Sequence, residues 1–519
     1  MKKHFKQMAR KTLTASIAAL LLAITLPFGS IAEDVTERHA CSGGVLFDSD
    51  EVFMKMRADN SERENVSMLR SSLPASVDLS TSPYFPPIAN QGRVGSCVAF
   101  STVYYQFTYE ANKLNGVTTT AENAYSPQWP FYYLKEMDTD GGLYVGKAYE
   151  FLEHHGALHM ADNPYEGEYN SSQPLYFNTS KMREALDTRV AYFKTIPVTI
   201  WGKISKPTDS RLDEVKSYLA SGKVLQASSD FDFDEGVSKG DVILYRFTAK
   251  NPGHSVVVVG YDDNKSYDVN RNGIIEECEK GAFKIANSWG EDFGSGGYAW
   301  VLYDALNKET TIPGNWEDSL PGERVSAFRP LGAAYNWFTA ITVCNYKVDY
   351  VAELSFNPVQ RNQVSPTLVK EKNGSITSAE IPGPQTQRVS SFTLVFDCFK
   401  VVSQGIGVDN KNFSLGVDLT GNVKQLLSGK ITDNRGNKIA DLSSVANQEG
   451  SYRAPINLMR GDVNYSGTIT NADVILVTRY CSGWDNLSNA QIYLADYNGD
   501  GTVTNADITL MQRYITSNP

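Results

Sequence analysis

The sequence predicts an α+β fold class on its N-terminal side, followed by an all-β, sandwich-like module and a short helical repeat. Apolar residues recur at helical spacing after Cys97 and stop at Asn115-Gly116, which indicates a buried helix. Between 336 and 457, short alternating runs such as FTLVFDCF and FSLGVDL are separated by turn signals, as in a β-sandwich. Two similar loop-helix units then occur 34 residues apart, which is typical of repeated structural units.

The chain divides into five segments on these patterns. Its first residues, MKKHFKQMARK, are basic and precede the apolar run TLTASIAALLLAITLPF and the small residues of GSIA, which together predict a cleaved secretory signal and an extracellular protein. No other apolar run approaches the length of a membrane span. The predicted segments are a signal peptide at 1–32, a leader or short propeptide at 33–72, an α+β domain at 73–335, a β-rich module of unknown role at 336–457, and the repeat domain at 458–519.

Charge and cysteine content exclude some classes of partner and of fold. The 519 residues carry a formal net charge of −11, and removing the five Lys/Arg of the signal gives −16 (−11 − 5). An acidic surface repels phosphate backbones and anionic lipids, so neither nucleic acid nor a membrane surface is an expected partner. Six cysteines are sparse for a secreted chain. Cys344 and Cys398 lie in one β-rich stretch and could pair, whereas the others suggest no disulfide framework.

Cys97 has two interpretations from its position alone. The segment QGRVGSCVAF places it at the N-terminus of the predicted helix, where the macrodipole favours a thiolate over a thiol. A small buried structural thiol fits the same position equally well. Because a thiolate nucleophile needs an imidazolium beside it, the histidines of the chain bear on the choice.

One histidine has a partner at a suitable place in the sequence. His254 stands at the mouth of the apolar strand HSVVVVGY, and the later segment FKIANSWG supplies Asn287 and Trp289. The carboxamide oxygen of Asn287 can orient the imidazole of His254 while the indole of Trp289 shields that hydrogen bond from water. Three other histidines cluster near a predicted helix end and are expected on the surface: His154, His155 and His159.

Three blocks in this order, QGRVGSCVAF, GHSVVVVGY and NSWGEDFGSGGY, resemble those of papain-like cysteine proteases. A fourth, DGGLYVGKAYEFLEHHGALHMADNPYEG, is similar to the substrate-cleft segment of that family, and LPASVDL resembles its mature N-terminus. The resemblance implies a two-lobed α+β fold, with Cys97 on a mainly helical lobe and His254 and Asn287 on a β-rich lobe. It also implies a cysteine-type peptidase.

The resemblance assigns a role to each member of a Cys-His-Asn triad. Cys97 would attack the peptide carbonyl, His254 would transfer the protons, and Asn287 would hold the imidazole. Gln91 would supply the side-chain donor of the oxyanion hole, beside the backbone N–H of Cys97. The residues implied in substrate binding are Gly141, Gly142 and Trp289, the glycines through an extended, strand-like contact with the substrate backbone.

The chain departs from the family pattern at several places. Val94 stands where the family usually has a disulfide-bonded Cys, Val98 where it usually has Trp, and the long inhibitory prosegment is missing. None of these changes removes a triad role. A non-catalytic binding module with the protease fold stays the alternative, and a polysaccharide hydrolase, which needs a pair of catalytic carboxylates, is a third reading. The complete set of triad residues favours the peptidase.

The insert between the His254 and Asn287 segments contains DVNRNGIIEECE, which resembles a twelve-residue EF-hand calcium loop. Gly273 takes the sharp turn at position 6. An acidic surface loop that fits by chance is the alternative. The implied ligands, from position 1 to position 12, are Asp268, Asn270, Asn272, the carbonyl of Ile274, Glu276 and Glu279.

The two C-terminal units resemble a dockerin domain, whose loops bind Ca²⁺ and whose helices bind cohesin modules of a scaffold, so the resemblance implies attachment to a cellulosome. Hard oxygen ligands at this spacing suit Ca²⁺. The implied ligands are Asp462, Asn464, Ser466, the Thr468 carbonyl and Asp473 in the first loop, and Asp496, Asn498, Asp500, the Thr502 carbonyl and Asp507 in the second. The implied cohesin contacts are Asn471, Ala472 and Arg479, with Asn505, Ala506 and Arg513 at matching positions of the second unit. A calcium-stabilised cap without a partner is the alternative.

Overall fold

The computed structural model describes most of the chain from residue 73 onward. The described residues are 45–46, 73–135, 142–168, 170, 178–197, 209–229, 243–244, 253–268, 272–303, 337–346, 348, 350–372, 375–398, 412–433, 436, 438–442, 446–448, 450–457, 459–464, 466–485, 487 and 489–518. The predicted signal peptide, nearly all of the predicted leader, Gly141 and Asn270 lie outside the described residues.

Strands and helices are numbered here in chain order. The strands are β1 (Val45–Leu46), β2 (Ser76–Asp78), β3 (Leu143–Tyr144), β4 (Thr188–Pro197), β5 (Leu225–Ser229), β6 (Ile243–Leu244), β7 (His254–Ser266), β8 (Lys280–Ala286), β9 (Tyr298–Leu302), β10 (Trp337–Asn345), β11 (Tyr350–Gln360), β12 (Pro366–Lys372), β13 (Ser375–Glu380), β14 (Val389–Asp397), β15 (Asn412–Leu419), β16 (Ser428–Asp433), β17 (Lys438–Asp441), β18 (Ala446–Gln448) and β19 (Ser451–Asn457). The helices are α1 (Cys97–Ala99, Phe100–Phe107 and Thr108–Asn115 in succession), α2 (Gln128–Leu134), α3 (Val145–His155), α4 (Thr179–Ala185), α5 (Asp209–Ala220), α6 (Asn471–Cys481), α7 (Asn489–Ala495) and α8 (Asn505–Ser517).

Helix α1 is the central buried helix of the first lobe. It ends where the sequence predicted, since Gly116 adopts the left-handed conformation (φ +65°) after Asn115. Its middle segment, Phe100–Phe107, is π-helical, which apolar periodicity did not predict. The hydroxyls of Ser101 and Thr102 both donate to the Val98 carbonyl, at 3.1 and 2.7 Å, and such bonds compete with the ordinary α-helical ladder.

The second lobe is built on a sheet whose described strands follow the order β4-β10-β5-β7-β8-β9-β6, with β2 added along β7. Strands β5, β7, β8 and β9 pair antiparallel in sequence along its centre. The long strand β7 is buried from His254 to Tyr261, which explains its run of four consecutive valines. Helix α1 packs against β7, so the helix that begins at Cys97 meets the strand that begins at His254.

The β-rich module is a sandwich of two sheets. One has the order β14-β11-β16-β17 and the other β13-β12-β15-β19-β18, with antiparallel pairing throughout the described strands. Apolar side chains of both sheets meet in a common core, among them Leu354 and Phe392 of the first sheet and Leu415 and Val417 of the second. The all-β prediction for this region is confirmed.

The structure corrects the predicted start of this module. The sequence analysis assigned β10 to the β-rich region, but Trp337–Asn345 pairs with β4 and β5 of the second lobe's sheet. Alternation identifies a strand without identifying its partner, so the sequence did not distinguish the two sheets. The chain passes from β10 almost directly into β11, which joins lobe and module through adjacent strands.

A single hydrophobic core extends from the helical lobe into the module. Helices α3 and α4 pack against β14, and buried residues from Val98 to Tyr452 belong to one continuous cluster. Polar contacts cross the same interface: Arg189 and Asp397 form a buried ion pair at 2.5 Å, and the Tyr133 hydroxyl donates to the Pro382 carbonyl at 2.6 Å. The helical lobe and the module therefore share one core, as the elements within a single domain do.

The C-terminal repeats fold around their own small core, formed by α6, α7 and α8. Each repeat helix begins with a capping box, in which Thr470 and Asp473, or Thr504 and Asp507, satisfy each other's backbone N–H groups. The core between α6 and α8 includes Val477 and Met511. The sequence predicted two loop-helix units here, and both are present.

Two further features concern the cysteines and the membrane. Cys344, Cys398 and Cys481 are free thiols, so the pairing considered for Cys344 and Cys398 does not occur. Within the described part of the chain, no helix combines the length and the apolar character that crossing a bilayer requires.

Candidate active site and calcium loops

The Cys97 side chain is buried at the start of α1, directly after Ser96. The Ser96 hydroxyl lies 2.6 Å from the Tyr165 hydroxyl, which donates to the Gln91 carbonyl at 2.8 Å. Because that donation uses the Tyr165 proton, Ser96 is the donor of the first bond. These two bonds tie the turn before the helix to the loop that carries Gln91. They hold the thiol at the positive end of the helix dipole, where a thiolate is favoured.

His254 and Asn287 lie side by side because they open and follow neighbouring strands, β7 and β8. The imidazole Nε2 lies 2.8 Å from the Asn287 carboxamide oxygen, and the Ser288 backbone N–H donates to the same oxygen at 2.7 Å. Because the carboxamide oxygen accepts both bonds, Nε2 is protonated and donates to it. Both side chains are completely buried.

Trp289 packs against the imidazole of His254. Its ring centroid lies 4.9 Å from that of His254 with the planes tilted by 33°, and Phe293 packs edge-on against the indole at 5.3 Å. The indole is only half-buried and so separates the His-Asn pair from solvent. Excluding water strengthens the electrostatic component of the bond beneath it.

Gln91 lies between the Cys97 loop and the Asn287 loop. Its backbone N–H donates to the Ser288 carbonyl at 2.7 Å, its side-chain oxygen accepts from the Ser288 hydroxyl, and its Nε2 donates to the Val94 carbonyl at 2.9 Å. An isolated bridge between Asn90 and Trp289 extends the contact. The loop that leads to Cys97 is therefore hydrogen-bonded directly to the loop that carries Asn287.

Gly92 shows why this loop accepts little substitution. Its φ is +65°, and a Cβ at this position would stand 2.1 Å from the Gly167 carbonyl oxygen. Both the backbone conformation and the close approach require glycine.

Two tyrosines support the site without any signal in the sequence. The Tyr105 hydroxyl accepts from the Ala89 N–H at 3.0 Å and donates to the Asn287 carbonyl at 2.9 Å, and burial raises the pKa of Tyr105 far above its ordinary value. Tyr165 bridges Ser96 and Gln91 as described. Their partners lie far away in sequence, so only the structure reveals the role of the hydroxyls.

Gly142 directly precedes β3 and helix α3, while Gly141 lies outside the described residues. Strand β3 pairs in parallel with β1 of the predicted leader, Val45 opposite Leu143 and Leu46 opposite Tyr144. Among the described strands, β1 is the partner of β3, so this leader segment occupies the edge next to the glycine predicted to bind substrate.

The three predicted calcium loops have the same internal hydrogen bonds. In each, the carboxylate at position 1 accepts the backbone N–H groups of positions 5 and 6, at 2.8 to 3.1 Å. The carboxylate at position 12 is completely buried and accepts the N–H of position 9, at 2.8 to 3.0 Å. The position-1 acceptors are Asp268, Asp462 and Asp496, the position-12 acceptors Glu279, Asp473 and Asp507, and the position-6 glycines Gly273, Gly467 and Gly501, with φ of +81°, +86° and +89°.

The remaining predicted residues of the repeats lie on the surface. Asn471, Ala472, Asn505, Ala506 and both arginines are exposed on the first turns and outer faces of α6 and α8. Arg479 forms an ion pair with Asp485 at 2.7 Å.

Comparisons with known proteins match two parts of the chain to known families. Residues 73–312 match the family model described as papain family cysteine protease, and residues 460–516 match the model described as dockerin type I domain. The chain is 28% identical over 244 residues to cathepsin K of Mus musculus, which covers 45% of this chain and 61% of that protein. It is 29% identical over 239 residues to the KDEL-tailed cysteine endopeptidase CEP2 of Arabidopsis thaliana, covering 44% and 54%.

The chain thus spans between about half and three fifths of the length of these curated relatives. Among solved structures, xylellain, a cysteine protease from Xylella fastidiosa, aligns over 58% of this chain and 96% of its own, with a TM-score of 0.41 and 20% identity.

Proposed function

We propose that this chain, which matches papain family cysteine protease over residues 73–312 and dockerin type I domain over residues 460–516, is a secreted cysteine endopeptidase attached to a cohesin-bearing scaffold, as in a cellulosome. One observation supports the catalytic part most strongly. The Nε2 of His254 is held at 2.8 Å by Asn287 beneath Trp289, on the strand against which the helix of Cys97 packs.

The proposed reaction uses these residues in turn. With its proton fixed on Nε2, the His254 ring takes the thiol proton of Cys97 at Nδ1, giving a thiolate and an imidazolium. The thiolate attacks the peptide carbonyl carbon, and the oxyanion is stabilised by the Cys97 backbone N–H and the Gln91 carboxamide. His254 then donates its proton to the amine nitrogen as the C–N bond breaks, which leaves the acyl group on Cys97 as a thioester. A water molecule, deprotonated by His254, attacks the thioester carbon. The C–S bond breaks, the carboxylic acid product leaves, and His254 returns the proton to the Cys97 sulfur.

Calcium fits the dockerin loops by their donor chemistry. No cluster of three or more His, Cys, Asp or Glu side chains suited to a metal ion occurs in the described part of the chain, so a cation would need the amide, hydroxyl and carbonyl oxygens that these loops add. Carboxylates held at positions 1 and 12 leave hard oxygen atoms around a glycine turn, which suits Ca²⁺. The bound ion would draw the two ends of each loop together. We propose one ion per repeat and a third in the loop from Asp268 to Glu279.

The exposed residues of α6 and α8 are the proposed contacts for a cohesin. Asn471-Ala472 and Asn505-Ala506 occupy the same two positions after Thr470 and Thr504, so each repeat offers a similar surface. Secretion, predicted from the N-terminal segment, would place the enzyme where such a scaffold assembles.

Hydrolysis of an unfolded protein tests the catalytic proposal directly. The mature chain in calcium and reducing agent should cleave casein, Cys97→Ala should not, and Cys481→Ala, which removes an exposed thiol remote from the site, should match the parent. Equal activity in Cys97→Ala and the parent would overturn the mechanism.

A folded but inactive parent would favour the alternative of a non-catalytic binding module. Because β1 lies along β3, that experiment needs a second sample from which residues 33–72 are removed. Activity gained on removal would retain the peptidase, and inactivity of both samples would reject it.

A further inference from the structure

A buried chain of hydroxyl and amide groups lies directly beneath the proposed nucleophile and base. Its members are Ser101 on α1, Ser255 on β7, and Gln226 and Ser228 on β5, none of them more than 2% exposed. We propose that the hydrogen-bond path from Gln226 through Ser255 and Ser101 to the Val98 carbonyl positions Cys97 against His254. This inference rests on the function proposed above, and it makes Ser255 and Ser101 positioning residues.

The path has a definite direction. The two N–H groups of the Gln226 carboxamide donate to Ser228 Oγ at 2.5 Å and to Ser255 Oγ at 2.8 Å. Ser101 Oγ lies 2.6 Å from Ser255 Oγ and 3.1 Å from the Val98 carbonyl oxygen. The Val98 carbonyl can only accept, so Ser101 donates to it and Ser255 donates to Ser101. The Ser255 hydroxyl lies farther from the Ala227 carbonyl, at 3.5 Å, which makes that donation the weaker choice.

Two members of the path lie next to residues of the proposed triad. Ser255 follows His254 in sequence, and Val98 follows Cys97. The bond between Ser101 and Ser255 joins positions 154 residues apart and crosses from the helical lobe to the β-rich lobe. A shift of α1 along β7 would therefore break this bond at the same time as it changed the separation of thiol and imidazole.

The composition of the path favours a role beyond stability. Apolar side chains of matching size would fill this space without desolvating any hydroxyl or amide. In the structure, by contrast, the Gln226 carboxamide oxygen has no hydrogen-bond partner among the described residues. Burial of an unsatisfied polar atom is a cost to the folded state. Directional hydrogen bonds give in return a fixed geometry that apolar contacts do not.

Thr102 offers a matched control inside the same helix. Its hydroxyl is equally buried and donates to the same Val98 carbonyl, at 2.7 Å, but it does not reach the strand of His254. Removing Thr102 Oγ1 takes one donor away from the Val98 carbonyl, as removing Ser101 Oγ does. It leaves the connection between the lobes intact.

The test measures the rate at which iodoacetamide alkylates Cys97 between pH 5 and pH 9, followed on the Cys97 peptide by mass spectrometry. For Ser255→Ala and Ser101→Ala we expect about a tenfold fall in rate near pH 6, where reactivity depends on the imidazolium beside the thiolate. Near pH 9, where an isolated thiol ionises on its own, the rates should converge. On casein, kcat should fall by a similar factor with KM little changed.

Thr102→Ala should retain the parent profile, and Ser255→Thr, which restores the hydroxyl, should recover most of the lost rate. An equal fall in Thr102→Ala would show that helix stability accounts for the effect, and an unchanged profile in Ser255→Ala would show that the path positions nothing. Both results overturn this inference. A parent whose Cys97 reacts at pH 6 no faster than a simple thiol would instead overturn the proposed function, and this inference with it.

Discussion

His155 should make the stability of this protein fall steeply in mild acid. It is the last residue of α3 and is 1% exposed, enclosed by the rings of Tyr133 and Phe151 at 5.1 and 4.9 Å. Its two ring nitrogens lie 3.3 and 3.4 Å from the carbonyl oxygens of Val395 and Pro382 in the β-rich module. The sequence analysis expected a surface histidine here. That expectation was wrong, because the partner that buries the ring is more than two hundred residues away.

Burial is the main reason that the pKa of His155 is lowered, from 6.5 to about 4. The two carbonyl oxygens act in the opposite direction, because an imidazolium can donate to both, and the charge of Arg189 again opposes protonation. The unfolded chain binds a proton near pH 6.5 and the folded chain only near pH 4. Stability is therefore fully present above pH 6.5 and is lost as the pH falls from 6.5 towards 4. At about 1.4 kcal/mol per pH unit, the loss from this group is about 3 kcal/mol.

The assay is urea unfolding of the full chain in saturating calcium, followed by tryptophan fluorescence at several pH values between 7 and 4.5. His155→Gln retains a neutral donor but cannot titrate, so its free energy of unfolding should depend on pH less steeply by about one proton. His154→Gln, at the half-buried neighbouring position, is the control and should keep the parent slope. Because slopes are compared between variants, the titration of the calcium ligands cancels. Equal slopes for the parent and His155→Gln would refute the reasoning.

Three further predictions concern the interface, the active-site loop and the metal. Arg189→Met leaves the buried Asp397 carboxylate without its partner and should lower the free energy of unfolding by about 3–5 kcal/mol, while adding Asp397→Leu should recover most of it, as measured by urea midpoints. Gly92→Ala should abolish caseinolysis, whereas Gly116→Ala, at the same φ of +65° but in open space, should only cost about 1 kcal/mol of stability. Asp507→Ala should lower calcium affinity by about tenfold or more in calorimetry and leave casein hydrolysis unchanged.

Each of these has an outcome that contradicts it. An Arg189→Met chain as stable as the parent would mean that the ion pair is not desolvated. Equal caseinolysis in Gly92→Ala and Gly116→Ala would mean that the loop can move away from the Gly167 carbonyl. Calcium binding unaffected by Asp507→Ala would remove position 12 from the ligand set.

The sequence predicted best what depends on local pattern. The helix after Cys97 ends at Asn115 because Gly116 can adopt a left-handed conformation, and the loop-helix units follow from a repeat that is nearly identical in its polar positions. The sequence also placed His254 at the start of one apolar strand and Asn287 after another, and the antiparallel pairing of β7 and β8 brings these two positions together.

What the sequence did not predict depends on partners that are distant in the chain. No pattern in the sequence indicated the roles of Tyr105 and Tyr165, because the residues that their hydroxyls contact are distant in the chain. The assignment of β10 to the wrong sheet and the placement of His155 on the surface have the same origin. In each case the partner is set by tertiary packing rather than by local propensity.

The common core of the helical lobe and the sandwich determines which part of this chain can be moved into another protein as a folded unit. A gene fusion cut at residue 312, where the family match stops, or at 335 would discard β10 from its sheet and leave Tyr133 and His155 facing water. The transferable cassette instead runs from the start of β2 to the end of β19. The short stretch before Asp462 is the place to join it to another sequence, so the last repeat domain can be exchanged without cutting through this shared core.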